Sequence, residues 1–130
     1  MEVIVKKDFG FARVLIYDNG IFHTNVITSY PLTLQQAIEI SEFRLTQMKA
    51  EKALMLITGE DRYIFPSKEA LEYLKSDDRS LTVYADAYVV KSLSQRLFIK
   101  TISGLKKRST PIAFFSSDEK AIEWLLKIKI

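Results

Sequence analysis

The sequence contains no cysteine, only four glycines and three prolines, and a single histidine in 130 residues. Without cysteine the chain has no disulfide bond, no thiolate metal ligand and no thiol nucleophile. Four scattered glycines cannot form the glycine-rich loop that cradles phosphates in many nucleotide-binding proteins. One histidine does not make a metal site without help from neighbouring ligands, so we expect neither a metal ion nor another cofactor.

Long apolar runs are also missing. No stretch approaches the roughly 18 consecutive apolar residues that a membrane-spanning helix requires. The sequence begins MEVIVKK, with its basic residues after a short apolar run, whereas a secretory signal has them before a longer one. Together with the lack of cysteine, this pattern favours a cytoplasmic protein without a transmembrane segment.

The composition is that of an ordinary globular protein, with 48% hydrophobic and 27% charged residues. The length fits one domain spanning residues 1–130. A net charge of +3 is mildly basic, and the densest basic cluster is Lys106-Lys107-Arg108. Nucleic-acid-binding proteins usually show a stronger basic stripe interleaved with aromatic residues, so no nucleic-acid partner is expected.

Strand signals dominate the first part of the chain. Phe11–Tyr17 and Ile21–Ile27 are rich in aliphatic and aromatic residues, and Asp18-Asn19-Gly20 lies between them. Asn-Gly between two such runs predicts a tight β-hairpin, because both residues tolerate positive φ. Val3–Lys6 is compatible with a short additional edge strand.

After the hairpin, helix and strand patterns alternate. Thr33 and Gln36 form a capping-box pattern that starts a helix, whose core-facing stripe is expected to be Leu34, Ala37, Ile38, Ser41, Leu45 and Met48. The later elements are a buried strand at Ala53–Ile57, a short helix from Ser67, a strand at Leu81–Ala87, a helix with apolar residues from Val90 to Leu105, a strand at Ile112–Phe115 and a last helix capped by Ser116–Glu119. This order predicts an α/β fold with a mixed sheet, parallel beyond the hairpin.

The C-terminal part of this pattern resembles the STAS domain, in particular its SpoIIAA-like branch. The resemblance rests on the strand Leu81–Asp86, the helix around Ser92–Ile102 and the closing segment TPIAFFSSDEKAIEWL at residues 110–125. It implies a mixed sheet with helices mainly on one face and a regulatory role through protein–protein contact. In anti-sigma-factor antagonists, a switchable serine or threonine lies in an Asp-Ser-(Ser/Thr)-Gly motif at the start of the second helix.

Ser67 stands at the position that corresponds to this motif, within Ile64–Glu69, but the flanking Asp and Gly are absent. Its ordinary role would be a helix N-cap, in which the hydroxyl accepts a hydrogen bond from a backbone N–H of the first turn. A phospho-switch is the alternative, and a phosphate at a helix N-terminus is electrostatically compatible with the cap.

Polar residues are expected to meet where the parallel strands end, because ligands of open α/β sheets bind beyond the carboxyl ends of the strands. The candidate ligand-edge residues are Thr58, Gly59, Glu60, Asp61, Asp86, Ser116 and Ser117. Their spacing is not diagnostic of acid–base chemistry or of a metal, and a solvated loop explains the acidic pair as well.

His23 is interpreted as an ordinary strand residue. No catalytic residue is assigned, and we expect the protein not to be an enzyme.

Some apolar residues lie outside the expected core stripes. Ile40 and Phe43 are on the far side of the first long helix, and Ile99 and Ile102 are on the far side of the third. A contiguous apolar patch of this kind would mark a protein interface or a homodimer contact. The alternatives are an error in the helical phase or packing against a neighbouring helix.

The function predicted from these features is a non-catalytic binding or regulatory domain that engages an unidentified protein partner or a second copy of itself. Two alternatives remain open. The domain could bind a small apolar or nucleotide ligand between its helices and the sheet edge. It could also associate with a membrane surface through Lys91, Arg96 and Lys100 of the basic third helix.

Overall fold

The computed structural model describes residues 1–28, 30–59, 66–74, 81–92 and 110–128. These residues form six strands and three helices: β1 (Val3–Asp8), β2 (Ala12–Tyr17), β3 (Ile21–Val26), α1 (Leu34–Gln47), β4 (Ala53–Gly59), α2 (Lys68–Leu74), β5 (Val83–Val89), β6 (Ile112–Phe115) and α3 (Asp118–Ile128). The predicted α/β class is therefore confirmed. The predicted helix between residues 90 and 105 lies almost entirely outside the described residues. No helix in the described ranges is long and apolar enough to cross a membrane.

All six strands belong to one mixed sheet, and they follow each other in chain order from β1 to β6. The first three strands are antiparallel, whereas β3, β4, β5 and β6 run parallel to one another. The predicted hairpin is confirmed, with Gly20 at φ 87° and its backbone nitrogen 3.2 Å from the carbonyl oxygen of Tyr17. The turn geometry expected for Asn-Gly is wrong, because Gly20 has a positive φ and Asn19 does not. The predicted edge strand is also present and extends to Asp8.

Each face of the sheet carries its own hydrophobic core, because neighbouring residues of a strand point to opposite faces. Met55 of β4 packs with Ala37 of α1 and Ala70 of α2 in one core. Leu54 and Leu56 pack with Ala121 and Leu125 of α3 in the other. We call these sides the α1/α2 face and the α3 face. The expectation that the helices lie mainly on one face holds for α1 and α2, while α3 lies on the opposite side.

The helical phase predicted for α1 is wrong. The buried residues of α1 are Ala37, Ile40, Ser41 and Arg44, so the core-facing stripe is rotated from the predicted one. Ile40 is only 6% exposed, whereas the predicted core residue Leu45 is 37% exposed. The cause is Arg44, which lies on the buried face and donates a hydrogen bond from Nη1 to the carbonyl oxygen of Thr82 at 3.0 Å.

For the same reason, two of the four residues predicted to form an interface pack against the core. Ile40 is part of the core on the α1/α2 face, and Phe43 packs against that core with its ring edge-on to Phe9 at 5.5 Å between centroids. These two side chains therefore do not form an exposed patch. Ile99 and Ile102, the other two members of that patch, lie outside the described residues.

Local hydrogen bonds fix the helix starts where the sequence predicts them. The Thr33 hydroxyl accepts a hydrogen bond from the Gln36 N–H at 3.1 Å, and the Gln36 side chain accepts one from the Thr33 N–H at 3.0 Å. This is the predicted capping box. Ser67 accepts a hydrogen bond from the Ala70 N–H at 3.1 Å and Ser117 one from the Lys120 N–H at 3.3 Å, so both serines cap helices.

The connection from α1 to β4 passes through an unusual backbone conformation. Lys49 and Ala50 have φ values of 52° and 60°, in the left-handed region that favours glycine. The Ala50 N–H donates to the carbonyl oxygen of Leu45 at 2.9 Å, which satisfies one of the last acceptors of the helix. Two neighbouring residues with side chains therefore hold a conformation that costs each of them about 1 kcal/mol or more.

Candidate functional site

The carboxyl ends of β3, β4, β5 and β6 meet along one edge of the sheet, since the four strands are parallel. We call this the carboxyl edge. In open α/β sheets such an edge is the usual place for ligand binding. Near this edge the two faces of the sheet carry different features, a group of hydrogen-bonded polar side chains on the α3 face and an apolar pocket on the α1/α2 face.

The structure places only some of the predicted edge residues there. Thr58 and Gly59 end β4, and Ser116 and Ser117 follow β6. Glu60 and Asp61 lie outside the described residues.

Asp86 does not lie at the carboxyl edge, and this part of the prediction is wrong. It is the middle residue of β5, is 1% exposed, and lies opposite Met55 of β4 and Ile112 of β6. The apolar run from Ala87 to Val90 continues the buried strand past Asp86, so the strand ends later than predicted. A register shift between Ala53 and Leu54 also places Asp86 on the α1/α2 face.

His23, Asn25 and Thr58 form a hydrogen-bonded group on the α3 face, which we call the polar cluster. His23 Nε2 is 2.7 Å from Thr58 Oγ1, and Thr58 Oγ1 donates to Asn25 Oδ1 at 3.0 Å. Thr58 has one hydroxyl proton, and when it donates this proton to Asn25, its oxygen can accept a hydrogen bond from the His23 tautomer protonated at Nε2. The three side chains thus form one continuous hydrogen-bonded chain.

Strand geometry explains why these three side chains meet. His23 and Asn25 are two residues apart on β3 and so point to the same face. Thr58 is the register partner of Asn25 on the parallel strand β4. Sequence reasoning missed the cluster, because it considered His23 without its neighbours. The signal was the alternation His23-x-Asn25 in a strand that precedes a buried strand with a polar end.

Burial lowers the pKa of His23 below its usual value of 6.5, and the negative charge of Asp118 opposes part of this shift. Asp118 is the first residue of α3, and its Oδ1 is 3.5 Å from Lys91 Nζ, so the two side chains form an ion pair. The polar cluster thus carries a neutral imidazole beside a compensated pair of charges. No group of three or more histidine or acidic residues that could hold a metal occurs in the described parts of the chain.

The apolar pocket lies on the opposite face, between the sheet and the two helices α1 and α2, and has a volume of about 50 Å³. Its walls come from the last residues of the parallel strands and from both helices with their flanking residues: Thr24, Val26, Leu32, Ala37, Ile40, Met55, Ile57, Pro66, Leu74 and Tyr88. None of these residues is charged.

A third exposed feature is β1 at the outer edge of the sheet. It pairs with β2 along one side, and every residue except Val5 is exposed. Ile4 is 63% exposed although it is a large apolar residue. Later in the same strand, Lys7 Nζ lies 5.2 Å from the centre of the Phe9 ring and 5.8 Å from that of Phe43. The strand therefore offers both apolar and basic side chains to solvent.

The model of the family described as Domain of unknown function (DUF7793) matches residues 15–129 of the chain. No curated protein and no solved structure matches it.

Proposed function

The chain belongs to the family Domain of unknown function (DUF7793), and from that premise we propose that it is a non-catalytic binding domain of the cytoplasm. The proposed partner is another protein, which the domain engages through the edge strand β1. The exposure of β1, the outermost strand of the sheet, is the observation that carries this proposal.

An edge strand binds a partner by adding a strand from that partner to the sheet. The outward backbone N–H and C=O groups supply the hydrogen bonds, and alternate side chains supply the selectivity. In β1 these side chains include Val3 and Ile4, which are exposed in the described structure. Exposed apolar residues on a sheet edge favour association, and a strand that only had to stay soluble would have little reason to carry them.

The basic residues of β1 bear on which partner binds. Lysine on an edge strand commonly prevents sheets from pairing with copies of themselves. Pairing of two β1 strands would place Lys6 and Lys7 of both chains within one short ladder, where like charges repel. We therefore favour a different protein over a second copy of this chain.

The resemblance to SpoIIAA-like STAS domains supports the same class of function, and a STAS-type fold is part of the proposal. The element order agrees with it, since a hairpin precedes the alternating strands and helices of the parallel part. Two features differ from the family pattern. Helix α3 packs on the face opposite α1 and α2, and Ser67 lacks the acidic and glycine neighbours of the switch motif.

Site-specific photo-crosslinking in the native cell tests the proposal. A photoreactive benzophenone amino acid replaces Ile4 in one variant and Glu42, an exposed residue of α1, in the other. We expect one protein to be crosslinked through position 4 and not through position 42.

The recovered partner then allows a quantitative test. Ile4→Asp should weaken its binding at least tenfold, since the new charge enters an apolar contact. Leu126→Asp makes the same change at an exposed position of α3 and should leave the affinity unchanged. Equal crosslinking through both positions, or equal affinity of both variants, would contradict the proposal.

A further inference from the structure

Thr24 places a hydroxyl group in the wall of the apolar pocket. The residue is 5% exposed, and its side chain lines the pocket beside Val26 and Ile57. Its neighbours in the pocket wall are apolar side chains. Valine has nearly the same shape as threonine and would fill the same space, so packing alone does not require a hydroxyl group at this position.

The location of this group is that of a ligand site. Val26, Ile57 and Tyr88 lie at or near the carboxyl ends of three neighbouring parallel strands, where open α/β sheets bind ligands. The pocket volume of about 50 Å³ exceeds the ~10–15 Å³ that a single water molecule requires. A few polar groups within apolar walls are also the usual composition of small-molecule sites.

We propose that this pocket binds a small uncharged molecule, or the end of a longer one, that has a compact apolar body and one group able to hydrogen-bond with Thr24. None of the described wall residues is charged, and this sets the chemical class of the ligand, because these residues offer an ion no compensation for the loss of its hydration. This site is separate from the β1 edge, since β3, β4 and β5 form its floor. It therefore adds a second binding activity to the one proposed above.

Two probes separate the apolar contribution from the polar one. Xenon is an apolar atom that enters apolar cavities, and 2-butanol combines a short hydrocarbon body with one hydroxyl. Methyl and amide NMR spectra of the whole chain report where each probe binds. We expect both probes to shift the signals of Val26, Ile57 and Leu74, with saturation as the probe concentration rises.

The variant Thr24→Val tests the hydrogen bond. It should weaken the binding of 2-butanol about tenfold, the effect of losing one hydrogen bond, and leave xenon binding unchanged. Thr46→Val makes the same change on the exposed side of α1 and should alter neither affinity.

A second variant keeps the test independent of Thr24. Ala37→Val places two methyl groups in the pocket and should reduce the binding of both probes. If 2-butanol binds Thr24→Val as well as it binds the original chain, the proposal is overturned. It is also overturned if neither probe shifts the pocket signals, because the cavity then holds water only.

Discussion

Replacing the polar side chain of Thr24 with an apolar one is expected to stabilise the fold. Its side chain lies among apolar neighbours on a buried strand, and valine keeps the shape while replacing the hydroxyl group with a methyl group that needs no hydrogen bond. We expect Thr24→Val to raise the free energy of unfolding by about 1 kcal/mol. Urea denaturation measures this change, and Thr46→Val on the exposed side of α1 should stay within about 0.5 kcal/mol of the original chain. A clear loss of stability in Thr24→Val would mean that its hydroxyl is already satisfied.

The lowered pKa of His23 is expected to make the stability of the fold depend on pH. Burial holds its pKa below 6.5 in the folded chain, so the unfolded chain binds a proton first as the pH falls. The contribution of His23 is therefore fully present above about pH 6.5 and is lost as the pH drops through the lowered pKa of the folded state. Denaturation of the original chain and of His23→Gln between pH 7.5 and 5.5 checks this. We expect the original chain to lose more stability on acidification than the variant, and equal losses would contradict it.

Single residues were predictable where their role depends on near neighbours in sequence. The caps at Thr33 and Ser67 need only a backbone N–H three residues ahead, and both are confirmed. The polar cluster needs Thr58 beside Asn25, a pair separated by 33 positions, and only the pairing of β3 with β4 brings them together. The buried position of Asp86 likewise depends on the register of β5 and not on its local sequence.

At the scale of elements, α1 shows that one charged residue on the buried face of a helix can lead to a wrong prediction of which face is buried. A stripe through Ala37, Ile40 and Arg44 looks unfavourable in sequence because arginine is rarely buried. The carbonyl oxygen of Thr82 accepts its hydrogen bond and makes the burial tolerable. That acceptor lies beyond β4 in the chain, so no pattern within the helix could reveal it.

Because α1 buries Ile40 and exposes Leu45, truncating these two side chains should lower the free energy of unfolding by different amounts. Ile40→Ala removes a core side chain next to the apolar pocket and should destabilise the fold by about 3 kcal/mol. Leu45→Ala, at a position more than a third exposed, should cost about 1 kcal/mol or less. Chemical denaturation of both variants measures the difference. If Leu45→Ala were instead the more destabilising variant, the helix orientation predicted from the sequence would be correct and the one described here wrong.

The end of α1 offers a stabilising change. Ala50 has a φ of 60°, a conformation that glycine adopts without the steric cost. We expect Ala50→Gly to raise the free energy of unfolding by about 0.5–1 kcal/mol, in spite of the greater freedom of glycine in the unfolded chain. Glu42→Gly, in the exposed interior of the helix, should instead lower it by a similar amount. Thermal and urea unfolding of the two variants measure whether the free energy of unfolding rises in one and falls in the other. A loss of stability in Ala50→Gly would show that the backbone at position 50 is not strained.

For the whole molecule, the order of hairpin, strands and helices was sufficient to predict the class and the parallel part of the sheet. Connections between parallel neighbours are short and have a fixed hand, so they leave few topologies. The placement of α3 opposite α1 and α2 was not predictable in this way. It follows β6 and leads to no further strand in the described chain, so the rule for crossovers does not apply to it.

The open β1 edge makes a prediction about the molecule in solution. If Lys6 and Lys7 prevent self-association, their joint replacement by valine should produce concentration-dependent dimers or larger species, since the edge then pairs with itself. Lys52→Val with Lys120→Val removes the same charge from exposed positions away from β1 and should leave the mass unchanged. Size-exclusion chromatography with light scattering measures both. Identical masses for the two double variants would show that the lysines are not needed for this purpose.

The alternation of β3 gives the molecule a built-in reporter for both of its faces. His23 and Asn25 belong to the polar cluster on the α3 face, while Thr24, between them, lines the apolar pocket on the α1/α2 face. The backbone amides of these three consecutive residues consequently respond to an occupant on either side of the sheet. Their side-chain resonances separate the two events, since an imidazole or amide signal identifies one side and a threonine methyl signal the other. Isotope labelling of this short segment would therefore let a single spectrum screen ligands for both surfaces at once.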